Sequence, residues 1–96
     1  LFDLNISMQI SSEKDFIDLR KQSSVWRKRF PMFTHDIIQI EKIIDQHIQT
    51  HSRIMVLYRQ TRNKGYLEKA QKEIDAINRT LETVEKLELM AMLSRR

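Results

Sequence analysis

From Phe33 to Tyr58 one pattern runs without a break: Phe33, Ile37, Ile40, Ile44, His47, His51, Ile54 and Tyr58 follow one another at alternating steps of four and three. That spacing sets every member on one side of an α-helix, in a heptad-like seam. Ile43, Ile48 and Met55 flank the seam and widen it. A helix over residues 34–63 would be about 45 Å long at 1.5 Å per residue. A stripe that broad must be covered, so the rest of the chain has to supply surfaces of matching length.

The first such surface is Leu67, Ala70, Ile74, Ile77, Leu81 and Val84, again at steps of three and four, after which Leu87 breaks the phase. These positions predict a helix over 66–94. Thr61, Arg62, Asn63 and Lys64 connect the two patterns and lead to Gly65, the only glycine. A left-handed residue just past a helix end favours glycine, so Gly65 is expected to terminate the long helix and hinge a hairpin. With one Gly and one Pro in 96 residues, tight turns are too scarce for an all-β fold.

Two helices cannot cover so wide a seam. Residues 12–30 predict a shorter third helix: Ser11 and Ser12 precede Glu13, Lys14 and Asp15, a hydroxyl cap followed by acids in the first turn. Phe16, Leu19, Trp26 and Phe30 line its apolar stripe, with Ser23 filling the gap, and Pro31 ends it. Thr34 is then placed to cap the next helix, with Asp36 in its first turn. Before all this, Phe2, Leu4, Ile6, Met8 and Ile10 alternate with polar residues, a period-two signature. No second strand pattern follows, so this arm either lies extended across the helices or pairs with a sheet in another chain. The expected architecture is mainly α: a long antiparallel, coiled-coil-like hairpin, joined by a shorter N-terminal helix as a three-helix bundle over residues 11–96, with an extended or β arm over residues 1–10. At this length one small core is all the chain can close.

Absence of Cys removes disulfides and thiol chemistry and makes an intracellular location, cytoplasmic or nuclear, the default. No apolar run approaches the ~20 residues of a membrane span. The chain opens at Leu1 without an initiator Met or a basic leader segment, as expected of a processed chain or of a portion of a longer one.

Three groups of residues invite a functional reading. His47 and His51 stand at i and i+4, a metal-helix spacing, but Ile48, Gln49 and Thr50 lie between them and supply no general-base glutamate. A hairpin at Gly65 sets them opposite roughly Glu82 and Asn78, so they read as hydrogen-bonded core histidines. No glycine-rich phosphate loop and no nucleophile motif occurs; the serines suit caps, and Glu82, Glu85 and Lys86 suit a solvated helix face. The expectation is a non-enzyme without cofactor, metal or small-molecule substrate.

The second group is basic. Arg20, Lys21, Arg27, Lys28 and Arg29 form one acid-free run, and Arg53, Arg59, Arg62 and Lys64 another, although the whole chain carries only +4. Each run is either a solvated helix face or a contact for an anionic partner, nucleic acid or acidic membrane surface. Trp26 and Phe30 intersperse the first run, yet their spacing points them into the bundle.

The third group is the C-terminal end of the last helix, where Leu87, Leu89, Met90, Ala91, Met92 and Leu93 are apolar on every side. A helix end bathed in water should not look like this, and Met side chains adapt well to a partner. Together with Phe2, Leu4 and Ile6 of the arm, Leu87, Leu89, Met90, Met92 and Leu93 are the expected protein interface. The favoured function is a protein-protein interaction or scaffold module that assembles into a larger complex, by self-association or with another protein, through apolar helix faces. Binding of an anionic partner is the rival.

Overall fold

A computed structural model describes residues 8–94, and these form three α-helices and no strand. Helix α1 spans Asp15–Arg29, a single 3-10 turn Pro31–Phe33 follows, and α2 (Thr34–Thr61) and α3 (Gly65–Leu93) make a long antiparallel pair. The molecule measures 55 × 24 × 18 Å, with a radius of gyration of 15.2 Å. A compact chain of this length would give about 12.5 Å. The elongation follows from the hairpin, whose helices are nearly twice as long as α1.

Helix α1 begins three residues later than the serines suggest, and its capping is reversed. Asp15, the first helical residue, accepts the backbone N–H groups of Ser11 and Ser12 at 2.7 and 3.2 Å, and no serine hydroxyl caps the helix. A carboxylate accepts such bonds more strongly than a hydroxyl does. Asp15 and Asp18 at the start and Arg27, Lys28 and Arg29 at the end oppose the helix dipole. Pro31 ends α1 as expected. Thr34 does not cap α2, because its hydroxyl donates to the Pro31 carbonyl at 2.8 Å and closes the 3-10 turn instead.

The core runs along one side of each helix. Ile10, Phe16, Leu19, Trp26 and Phe30 meet Ile37, Ile40, Ile44 and Ile48 of α2 and Ile74, Ile77, Leu81, Val84, Leu87 and Ala91 of α3. The heptad expectation slips at one place. Ile48, not His47, occupies the buried position on α2. A straight helix has 3.6 residues per turn and drifts about 20° per heptad, so by the second heptad a flanking residue has replaced the seam residue. On α3 the supposed phase break at Leu87 is absent, since Leu81, Val84, Leu87, Glu88 and Ala91 stay on the buried side.

The hairpin turn is real, but glycine is not its left-handed residue. Arg62 adopts φ 56° and ψ 20° at the end of α2, with its N–H bonded to the Tyr58 carbonyl at 2.6 Å. Gly65 already has helical geometry at the start of α3, and its N–H donates to Asn63 Oδ1 at 2.9 Å. The chain reverses earlier than its glycine because the Asn63 side chain takes up an amide at the start of α3.

The expected arm lies mostly at residues 1–7, outside the described residues. Its last part, Met8–Ile10, is in neither helix nor strand, and Ile10 is buried at 2% exposure. Asn78 of α3 holds it: Ile10 N–H donates to Oδ1 at 2.7 Å, and Nδ2 donates to the Ile10 carbonyl at 2.9 Å. One amide side chain thus satisfies both backbone groups of a residue that has no strand partner.

Candidate interaction surfaces

Helix α1 lies antiparallel to the first half of α2, as its cross-links show: Arg27 bonds Glu41 at 2.9 Å, Arg20 reaches Asp45 at 3.4 Å, and the Phe16 ring meets His51 edge-on at 5.1 Å and 87°. Beyond His51 the hairpin loses this third layer. Burial on α2 changes at that level, since Ile37, Ile40, Ile44, Ile48 and His51 are buried while Ile54, Met55 and Tyr58 are only half-buried. The molecule therefore has a three-helix half and a two-helix tip.

The two basic runs fall on opposite sides of that division. In the first, Arg20, Arg27 and Arg29 are each paired with an acid, Asp45, Glu41 and Glu88, leaving Lys21 and Lys28 exposed without an ion pair among the described residues. Trp26 and Phe30 are buried, as their spacing requires. In the second run only Arg59 has an acidic contact, with Glu13 at 3.5 Å between exposed groups. Arg53, Arg62 and Lys64 make no ion pair among the described residues, and Arg62 lies over the Tyr58 ring at 5.9 Å.

At the opposite end, the C-terminal turns of α3 divide between core and surface. Leu87 and Ala91 belong to the chain's own core, and Met92 is half-buried. Leu89, Met90 and Leu93 are 47, 52 and 63% exposed. At about 100° per residue these three occupy one arc of the helix about 100° wide. Phe2, Leu4 and Ile6, the arm residues expected to share this interface, lie outside the described residues.

Glu88 sits among these apolar residues yet is buried. Arg29 donates to its Oε1 at 3.1 Å, tying the end of α1 to α3, and Oε2 has no hydrogen-bond partner among the described residues. Burial of a carboxylate is costly without a cationic partner. Sequence reading passed over Glu88, although the steps Leu81, Val84, Glu88, Ala91 already turn it inward. The hairpin register predicts Asn78 opposite His51; it bonds Ile10 instead, and nothing near it in sequence indicates that clasp.

The histidines part company. His47 is half-buried with Nδ1 3.0 Å from Glu73, not Glu82, and His51 is buried against Phe16 with Nδ1 lacking a hydrogen-bond partner among the described residues. Loss of hydration lowers the pKa of the His51 imidazole; Glu13 and Glu73 oppose that shift and Arg59 adds to it. Among the described residues no three His, Asp or Glu side chains gather as a metal site. An open cleft of about 310 Å³ runs between α1 and α2 over Leu19, Ile44 and Ile48. Four of its five charged rim groups bond one another, in the Arg20–Asp45 and Arg27–Glu41 pairs, and Lys42 makes no ion pair among the described residues. No described helix is long and apolar enough to cross a membrane. Comparison with protein-family models, curated proteins and solved structures yields no match.

Proposed function

We propose that the protein is a non-enzymatic helical interaction module that joins a larger assembly through an apolar helix face, with the outer arc of the last turns of α3 as the contact. The observation that supports this reading is the exposure of Leu89, Met90 and Leu93 together on one side of a helix whose other side is already buried. Apolar side chains scattered singly over a surface need no explanation, but adjacent ones on one helix face form a seam of the type that helices bury against each other. The flexible Met90 suits a contact that adjusts to its partner.

Sedimentation velocity at tens of micromolar tests the reading. Wild-type protein is expected to sediment as a dimer or larger species, and Met90→Glu with Leu93→Glu as a monomer with unchanged helix content, because both side chains already face water. A wild-type monomer indistinguishable from the double variant would overturn it.

A further inference from the structure

The two-helix tip carries more positive charge than the molecule as a whole. Residues 53–72 hold six Lys and Arg and one acid, Glu68, for a net +5, while the whole chain has +4. Apart from Arg59 none of the six has an ion pair among the described residues. The same tip exposes apolar side chains: Val56, Leu57 and Leu67 are 46, 41 and 39% exposed. Arg53, Val56, Leu57 and Gln60 share one face of α2 at steps of three, one and three, turned away from the half-buried Ile54 and Tyr58.

We propose that this tip docks an acidic amphipathic segment of a partner protein, whose carboxylates meet Arg53, Arg62 and Lys64 and whose apolar side chains cover Val56 and Leu57. The inference rests on the reading of the protein as an interaction module and names the chemistry of a second contact, at the opposite end from α3's apolar arc. Charge complementarity selects the partner's sign, and the exposed apolar pair selects its class. A nucleic acid would use the bases but leave Val56 and Leu57 in water. Stacking is also obstructed, because Arg62 lies over Tyr58 at 5.9 Å and Lys69 over Tyr66 at 5.5 Å. An acidic membrane met end-on would receive Arg62 and Lys64 first, with Val56 and Leu57 about 8 Å behind them along the helix. Met side-on, it would gain only that pair of side chains, little for interfacial anchoring.

Fluorescence anisotropy on the full chain tests the proposal, with a labelled helical peptide of about 20 residues built from glutamate and a leucine stripe at helical spacing. Comparison probes are the same peptide with glutamine for glutamate, a single-stranded oligonucleotide of like length, and phosphatidylcholine vesicles containing phosphatidylserine. The glutamate peptide is expected to bind at least about tenfold more tightly than the other probes near 0.1 M salt. Arg53→Glu with Arg62→Glu, and separately Val56→Ser with Leu57→Ser, should each weaken it by about tenfold or more with helix content unchanged. Met90→Glu with Leu93→Glu should leave peptide binding as it is, so failure here is distinct from failure of the C-terminal contact. No peptide binding, oligonucleotide or vesicle binding as tight as the peptide's, or indifference to the Val56 and Leu57 substitutions would each overturn it.

Discussion

The three-helix half and the two-helix tip are built from the same two helices with the same hydrophobic period, yet they differ in burial and in charge. Along α2 the inward stripe is sealed as far as His51 and only half-covered at Ile54, Met55 and Tyr58. A periodic stripe selects which side of a helix turns inward; the length of the third helix sets how far along that side water is excluded. Charge behaves in parallel. Where α1 lies on α2, Arg20 and Arg27 find acids across the interface, and in the tip Arg53 and Arg62 make no ion pair among the described residues.

Removing core volume gives the largest expected contrast. Leu19, fully buried on the inner side of α1, should cost about 3 kcal/mol as Leu19→Ala, whereas Ile54→Ala in the half-covered tip should cost about 1 kcal/mol. Urea unfolding of both variants measures this, and equal costs would erase the distinction between the two halves.

Acid should act at the boundary between them. The unfolded chain protonates His51 near its usual pKa of about 6.5, and the folded chain only at a lower pH. Between those values the unfolded state binds more protons, so stability is fullest above pH 6.5 and declines as pH falls through the lower folded value. Glu13 before α1, Arg59 and His47 on α2 and Glu73 on α3 surround the site. His51→Leu should flatten this part of the stability profile, read by chemical denaturation from pH 7.5 to 5.5; an unchanged slope would assign it to another group. Trp26 fluorescence on the same samples reports whether α1 loosens before the hairpin.

The smallest expected effect lies at the turn itself. Arg62 holds a left-handed φ of 56°, a conformation that favours glycine, so Arg62→Gly should stabilise the tip by up to about 1 kcal/mol. Gly65→Ala should change stability by only a few tenths of a kcal/mol, about 0.3 in the favourable direction, provided Asn63 Oδ1, 3.2 Å from the added Cβ, can shift slightly. Thermal melts of the two variants give the comparison. A loss of about 1 kcal/mol at Gly65 would return the left-handed role to glycine.

Much of this architecture is legible in the residue order because long helices repeat their signal many times. Seven seam positions on α2 and six on α3 specify a hairpin, and Phe16, Leu19, Trp26 and Phe30 specify its covering helix. Features made by one residue escape. Glycine marked the turn, but Arg62 and the Asn63 side chain shape it two or three residues earlier. The substitution of Ile48 for His47 in the core comes from accumulated drift between 3.5 and 3.6 residues per turn, which a step-counting pattern does not register. Both basic runs are visible in the sequence as equal candidates; only the positions of Asp45, Glu41 and Glu88 across the fold separate the neutralised run from the open one.

The clasp between Asn78 and Ile10 joins residues 68 positions apart, and that separation gives the protein a history as well as a shape. The hairpin closes through a turn of a few residues, so its contacts form across a short loop at small entropic cost. Ile10 must wait. At synthesis rates of 5–20 residues per second, roughly 3–14 s pass between the making of Ile10 and the making of the asparagine that receives it. A segment made before all three helices thus docks only after most of them exist, and during that interval the apolar side chain of Ile10 stays open to whatever meets the nascent chain.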